Sequence, residues 1–192
     1  MKVDRHGAST VLSEEQLDGL LDAAPSPNHR CLWAIQRWTA ARIGEALALQ
    51  WGDINGSVTY RKANTKMKRT HQVPTHPRLQ KELDSYRRVW EQVHGHVPAK
   101  DEVLFPGRSS TTSPMSRQAA DLALRKTCEA LGLQGVSTHS FRRSLATNAV
   151  HRGVSLPAIQ RVTGHKDLGS LGHYLEAGEE EVMVAISANW CN

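Results

Sequence analysis

The chain has 192 residues, 39% of them hydrophobic and 22% charged, which fits one globular domain and excludes a disordered chain. The formal net charge of +5 favours a polyanionic partner, although many basic proteins never bind nucleic acid. No apolar run approaches the roughly 18 residues that span a bilayer, and the N-terminal residues lack the apolar stretch of a signal peptide. We therefore expect a cytoplasmic protein with no membrane partner.

Three cysteines, Cys31, Cys128 and Cys191, are scattered along the chain, and no two of them form a C-x-x-C pair. Because their number is odd and no metal-ligand spacing is present, neither a disulfide framework nor a zinc site is indicated. We interpret them as reduced thiols.

Helical patterns fill the first quarter of the chain. Ser13 is a candidate N-cap, and the glutamates and leucines after it predict a first helix. We expect Pro27 to break the chain. Two further helices are predicted in "CLWAIQRWTAA" and "IGEALALQW", the second ending near Gly52.

After Gly52 the pattern changes to one typical of a small sheet. "SVTYRKA" and "THQVPT" are β-prone and flank the basic connection "NTKMKR", so residues 57–75 are predicted to form a hairpin. A helix is predicted from Pro77. The segment 95–116, rich in Gly, Pro, Ser and Thr, is predicted to be a loop, and an amphipathic helix follows it up to Gly132.

The last third of the chain contains three more helical patterns. One helix is predicted over 139–152, a second from a Ser155 cap to Gly164, and a third in "EEEVMVAISANW". The predicted fold class is therefore mainly α with a small antiparallel β-sheet (α+β), in a single domain over residues 1–192.

The stretch "HSFRR" places two residues suited to binding an anion on one helical face. His139 and Arg142 are three positions apart at a predicted helix N-terminus, where free N–H groups and the dipole favour an anion. A guanidinium gives two parallel donors to phosphate oxygens, and an imidazole can carry a proton. A solvated basic helix end is the alternative interpretation.

Two further candidates follow in the same segment. His165 comes just after the Gly164 helix stop, in a loop from which a side chain can reach a cleft. A histidine that only caps the helix gives the same pattern. Tyr174 lies nine positions further on. A lone tyrosine is most often a core or rim residue, but a phenol can also attack phosphorus.

A third set of candidates lies earlier in the chain. Arg42 begins a mostly apolar helix, and Glu45, one turn on, is its candidate ion-pair partner. The hairpin connection carries Lys66, Lys68 and Arg69. Solvated turn residues are the default interpretation, but a hairpin tip can also deliver an ammonium to a phosphate as general acid.

Together and in this order, these residues resemble the catalytic domain of the tyrosine recombinases, also called phage-type integrases. "ARIGEALALQWGDI" resembles the first arginine segment of that family, and "THSFRRSLATNAVHRGVSLPAIQRVTGHKDLGSLGHY" resembles the second. The resemblance covers roughly residues 10–180. It implies the tyrosine recombinase catalytic-domain fold and a DNA strand transferase that cleaves and rejoins double-stranded DNA at specific sites.

Four of the roles that the resemblance implies concern the scissile phosphate. Arg42 and Arg142 would clamp it and offset the charge that builds on its non-bridging oxygens. His165 would donate a hydrogen bond to the phosphate, and His139 would assist as acid or base.

The remaining implied roles concern the bonds that are broken and made. Tyr174 would attack phosphorus and form a 3′-phosphotyrosyl link, and Lys66 would protonate the leaving 5′-oxygen. The resemblance implies no metal and no other cofactor, because cationic side chains supply the positive charge. Four further cationic residues are candidates for binding DNA: Lys68, Arg69, Arg143 and Lys166.

The chain departs from the family pattern in three ways. Ala40 and Ala41 stand where a Gly-Leu pair is commoner, and Arg143 stands where a histidine is common. Family members usually carry an N-terminal core-binding domain, whereas "VLSEEQLDGLL" already resembles the opening of the catalytic domain. We therefore expect that domain to be absent, in either an excised fragment or a minimal form of the protein, and in both cases we expect the affinity for DNA to be weak.

The C-terminal tail, residues 179–192, has an apolar stripe with two interpretations. In the family, the last helix or strand docks on a neighbouring subunit and couples activities around a tetramer. Packing on its own domain is the alternative. The implied partners are double-stranded DNA and further copies of the chain, as a tetramer on DNA associated with the nucleoid.

Two other functions remain open from the sequence. A DNA-binding protein without chemistry is one, because "LPAIQRVTGHKDLGSLGHYL" fits a helix-turn-helix, although Arg42 and the hairpin lysine would then be unexplained. A type IB topoisomerase-like strand cleaver is the other.

Overall fold

The computed structural model describes residues 9–65, 68–107, 110–165, 169–174, 183 and 186–187. Most of these residues are helical. The α-helices are α1 (Glu14–Asp22), α2 (Pro27–Thr39), α3 (Ile43–Leu47), α4 (Pro77–His94), α5 (Arg117–Ala130), α6 (Thr138–His151) and α7 (Leu156–Thr163). Short 3-10 helices occur at Trp51–Asp53, Lys62–Asn64 and Gly169–Tyr174.

Two small antiparallel sheets complete the described fold. Strands β1 (Ser57–Tyr60) and β2 (His71–Pro74) form the predicted hairpin, with Val58 opposite Val73. Strands β3 (Pro106–Gly107) and β4 (Ser110–Pro114) form the second sheet. A fold that is mainly α with antiparallel β-structure is confirmed, with two sheets where one was predicted.

Helix α2 forms the centre of the hydrophobic core. Its residues from Cys31 to Ile35 are all at most 1% exposed, so the helix is enclosed on nearly every side. Helices α1, α3, α4 and α6 pack against it. This packing brings the N-terminal ends of α3 and α6 close to the C-terminal end of α2, which is where the candidate site forms.

Three features differ from the sequence-based predictions. Pro27 does not break the chain but occupies the first turn of α2, a position where its missing N–H costs nothing, behind the N-cap Ser26. The helix predicted through Trp51 ends at Leu47. The segment 95–116 is not entirely loop, because it contains β3 and β4; strands this short, rich in Pro, Ser and Thr, lack the apolar alternation that predicts a strand.

The predicted last helix lies mostly outside the described residues. Met183 and Ile186 are described as helical, and both side chains are exposed. Within the parts of the chain that the structure describes, no helix is both long enough and apolar enough to cross a membrane.

We expect acidification to destabilise the fold in part through His29. Its imidazole is half-buried beside Trp33, and burial lowers its pKa. A histidine with a lowered pKa in the folded state binds protons more tightly when unfolded, so its contribution is present above the ordinary value of about 6.5 and is lost as the pH falls below it. In urea titrations at pH 7.5 and 5.0, the free energy of unfolding should therefore fall less for His29→Gln than for the wild type. An equal fall in both proteins would contradict this expectation.

Candidate active site

A left-handed turn between α2 and α3 sets the position of Arg42. Ala40 caps α2 with φ 54°, a conformation that is uncommon for a residue with a Cβ. The carbonyl of Ala40 accepts a hydrogen bond of 2.9 Å from Nη1 of Arg142. The turn that leads into α3 is therefore held from α6, and Arg42 follows it as the N-cap of α3.

Glu45 holds the Arg42 side chain at the start of α3. Nη1 of Arg42 lies 2.9 Å from Oε1 of Glu45, and the Arg42 backbone N–H donates to Oε2 at 3.0 Å. This confirms the ion-pair partner expected from the sequence. The Arg42 side chain is 23% exposed. Its guanidinium is therefore held by Glu45 and still lines the cavity between α3, the β1–β2 hairpin and α7.

Arg142 is a buried cation that joins three parts of the fold. It is 4% exposed, it donates to Ala40 through Nη1, and its Nη2 lies 3.1 Å from Nε2 and 3.4 Å from Nδ1 of His165. Because a guanidinium is a planar fork with five donors, it can make these contacts and still offer further N–H groups to an oxyanion.

His165 is fixed by contacts with α7. It follows Gly164, whose φ of 66° ends the helix, and its carbonyl accepts from Nε2 of Gln160 at 3.1 Å. The Thr163 hydroxyl donates to the Ile159 carbonyl at 2.8 Å and lies 2.7 Å from Nδ1 of His165. Since the hydroxyl proton is used on Ile159, the hydroxyl oxygen can accept a hydrogen bond from an N–H group at Nδ1. The neutral imidazole should therefore carry its proton on Nδ1.

We expect Thr163→Val to remove this tautomer preference. Long-range ¹H–¹⁵N spectra of the neutral ring should show the Nδ1–H form in the wild type and a larger Nε2–H population in the variant. Valine has almost the same shape as threonine but cannot accept the hydrogen bond. An unchanged tautomer ratio would show that Thr163 does not set the protonation of this ring.

A cavity of about 290 Å³ lies between α3, the β1–β2 hairpin and α7. Among its lining residues are three arginines, Arg42, Arg69 and Arg161, against the single carboxylate of Glu45, and two imidazoles, His71 and His165. The three guanidinium groups favour an anion such as a phosphate group in this cavity.

Two of these lining residues, His71 and Arg161, were not predicted as site residues, because no local sequence pattern marks them. Nε2 of His71 lies 3.0 Å from the Val162 carbonyl and its ring stacks on Tyr60, so it ties β2 to α7. Arg161 is an exposed residue of α7. Only the tertiary packing of the hairpin against α7 brings them to the site.

The other residues predicted from the sequence do not all lie at the cavity. His139 is exposed in the first turn of α6, one turn before Arg142, and is not part of the cavity lining. Arg143 is half-buried, and its Nε has no hydrogen-bond partner within the described ranges. Lys68 and Arg69 are exposed on the hairpin connection. Two predicted residues lie outside the described part of the chain: Lys66 and Lys166.

Tyr174 is the last residue of the 3-10 helix Gly169–Tyr174, which packs against α6. Leu171 of this helix is buried with Ala146 and Ile159, so the segment is anchored between α6 and α7. Tyr174 thus ends a segment that is anchored against α6 and α7, while its side chain lies outside the described structure.

The other two tyrosines of the chain have structural roles. The hydroxyl of Tyr60 hydrogen-bonds with Oγ1 of Thr39, and that of Tyr86 donates to the Leu104 carbonyl at 2.8 Å. Burial raises the pKa of both hydroxyls. Tyr60 is among the residues that line the cavity, but both hydroxyls are buried and hydrogen-bonded, and their raised pKa values oppose ionisation to a nucleophile.

Comparison with known proteins supports the resemblance found in the sequence. The family model "Phage integrase family" matches residues 10–181. Tyrosine recombinase XerC of Methylobacterium sp. (strain 4-46) is 32% identical over 149 residues, which cover 77% of this chain and 45% of that protein. Tyrosine recombinase XerD of Neisseria meningitidis serogroup B (strain MC58) is 26% identical over 189 residues, which cover 90% of this chain and 60% of that protein.

A solved structure has the same fold over nearly the whole chain. The XerH site-specific recombinase bound to difH substrate, in a pre-cleavage complex, superposes with a TM-score of 0.77 and 21% identity, covering 99% of this chain and 57% of that one. The chain spans about half to two thirds of the length of the curated relatives that it matches. From the family model, the relatives and the fold, we conclude that the chain belongs to the phage integrase family, the tyrosine recombinases.

Proposed function

We propose that the chain catalyses site-specific recombination of double-stranded DNA by cleaving and rejoining strands through a 3′-phosphotyrosyl intermediate at Tyr174. The observation that carries this proposal is the cluster of Arg42, Arg142 and His165 beside a cationic cavity. These are residues to which the resemblance assigns contacts with the scissile phosphate.

The cleavage step follows from the chemistry of these groups. The Tyr174 oxygen attacks phosphorus, the bond from phosphorus to the 5′-oxygen breaks, and Lys66 supplies the proton that the leaving oxygen needs. Arg42 and Arg142 offset the negative charge on the non-bridging oxygens as it builds. His165 donates to the same oxygens from Nε2 when its ring carries a second proton as imidazolium. His139 takes or returns the proton of the attacking phenol.

Rejoining is the same series of chemical steps in reverse. The phosphotyrosyl bond conserves the energy of the phosphodiester, so a 5′-hydroxyl can attack it without ATP. This reversibility is what allows a strand from a second DNA duplex to replace the first.

The same proposal includes the partners and the assembly. XerH is described in complex with its difH substrate, which supports double-stranded DNA as the partner of this chain too. We place Lys68, Arg69, Arg143 and Lys166 against the DNA backbone, and we propose that four copies of this catalytic domain assemble on DNA associated with the nucleoid. The tail of residues 179–192 would dock between neighbours in that assembly.

Covalent capture on a suicide substrate tests the proposed chemistry. A pool of duplexes, each nicked near a randomised central region, is mixed with the wild type and run on a denaturing gel. The released fragment diffuses away, so rejoining is blocked. We expect an adduct that survives detergent, recovery of a limited set of sequences from it, and a fragment whose 5′-hydroxyl can be labelled by a kinase.

Other outcomes would support the rival functions. DNA retained in native gels without any adduct would favour a binding protein without chemistry. An adduct with no sequence preference would favour a topoisomerase-like strand cleaver instead of a recombinase.

A further inference from the structure

A fully buried glutamine lies where the candidate site meets the core. Gln36 is in the last turn of α2, is 0% exposed, and directly follows the buried apolar residues 31–35 of that helix. Burying an uncharged amide costs free energy unless its polar atoms are hydrogen-bonded. The contacts of this side chain are therefore informative about why an amide occupies a core position.

The amide nitrogen of Gln36 contacts two carbonyl groups from different parts of the chain. Nε2 donates to the Ala41 carbonyl at 3.4 Å and to the Thr138 carbonyl at 3.2 Å. An amide nitrogen carries two hydrogens, so it can serve both acceptors. The reverse orientation of the amide would place Oε1 against two carbonyl oxygens, which fixes the assignment.

These two carbonyls belong to the peptide groups that lead directly into two of the proposed site residues. The peptide unit is planar, so holding the oxygen of Ala41 also orients the nitrogen of Arg42. In the same way, holding the oxygen of Thr138 orients the nitrogen of His139. One side chain therefore ties the N-terminal end of α3 to that of α6.

The remaining atom of the amide shows that stability alone does not explain this residue. Oε1 of Gln36 is buried and has no hydrogen-bond partner among the residues that the structure describes. A buried acceptor without a partner is destabilising. A methionine or leucine of similar size would avoid that cost but would also remove the donor to the two carbonyls. The two effects on stability oppose each other, so what distinguishes the amide is the pair of carbonyls that it holds.

We propose that Gln36 is a positioning residue that sets the relative placement of Arg42 and His139 through their preceding peptide groups. Its effect on strand cleavage rests on the function proposed above. The Arg142 contact with Ala40 clamps the adjacent peptide, so the turn between α2 and α3 is held at two successive carbonyls. Loss of the Gln36 contacts would release the second of them.

The test compares Gln36→Met and Gln36→Leu with the wild type in three measurements. Both variants remove the donors without adding charge, and two variants guard against one that packs poorly. We expect single-turnover cleavage to slow by about tenfold to a hundredfold, as for a small displacement of a catalytic group. The affinity for DNA should stay within about twofold. The midpoint of thermal unfolding should change little, because loss of the two hydrogen bonds and removal of the unpaired acceptor act in opposite directions.

Hydrogen exchange provides a measurement that does not depend on DNA cleavage. The backbone amides of Arg42 and His139 should exchange at least about fivefold faster in both Gln36 variants, while amides in the middle of α4 keep their rates. Thr127→Val, another change from a buried polar to an apolar residue, is the matched control on α5 and should alter neither cleavage nor these two amides.

The arms of the experiment separate the two proposals. If the wild type forms no adduct, the proposed function fails, and hydrogen exchange still decides whether Gln36 holds the two peptide groups. If the wild type cleaves DNA and both Gln36 variants cleave it equally well with unchanged exchange, the positioning role is overturned. A loss of cleavage that merely tracks a lower unfolding midpoint would overturn it too.

Discussion

Replacement of Tyr174 by phenylalanine is expected to abolish the covalent protein–DNA product, with a loss of at least about 10⁴-fold in cleavage rate, as when a nucleophile is removed. Phenylalanine keeps the ring and loses only the oxygen that would attack phosphorus. DNA affinity should stay within about twofold in filter binding, because no phosphate-binding cation is changed. The cleavage rate is measured on the nicked duplexes in single turnover.

Tyr86→Phe is the matched control for this change. Its hydroxyl is buried and donates to the Leu104 carbonyl, so its removal should cost about 1 kcal/mol of stability and leave the adduct intact. An adduct of normal yield from Tyr174→Phe would exclude Tyr174 as the nucleophile.

Arg142→Lys is expected to slow cleavage by about 10² to 10³-fold, the usual effect of removing a donor to a developing oxyanion. Lysine keeps the positive charge but presents it as a point, without the planar fork of a guanidinium. It cannot hold the Ala40 carbonyl, contact His165 and bind a phosphate with two parallel donors at once. Single-turnover cleavage and thermal unfolding are measured on the same preparation.

Arg143→Lys is the comparison for Arg142→Lys, since the two residues are neighbours on α6. An arginine that contacts only the DNA backbone can be replaced by lysine with little change, so cleavage should fall by less than about tenfold. If both variants lost cleavage equally, the effect would lie in the packing of α6 and not in the guanidinium of Arg142.

Local signals allowed much of the fold to be predicted from the sequence. Ser13 caps α1 with its side chain and forms a capping box with Gln16, and Gly164 ends α7 with a left-handed conformation. The β1–β2 hairpin was evident from its two β-prone runs around a basic connection. In each case the determining residues are within a few positions of one another, so a single sequence contains the information.

The arrangement of the site depends on contacts between residues far apart in the chain, which a single sequence does not predict. The i, i+3 pair of Arg42 and Glu45 was predictable, because it is local to one helix turn. The burial of Arg142 against the Ala40 carbonyl joins residues 102 positions apart, and the contact of His71 with α7 spans 91. Gln36 is one of several polar residues in α2, and its contact with Thr138 exists only once α6 is packed against α2.

The central claim, that this chain bonds DNA through Tyr174, is tested most directly by identifying the modified residue. The adduct trapped on the suicide substrate is digested with nuclease and protease, and the peptide that carries a nucleotide is sequenced by mass spectrometry. We expect a nucleoside 3′-phosphate on the Tyr174 peptide and none on peptides with Tyr60 or Tyr86. A nucleotide on any other residue would contradict the proposed mechanism.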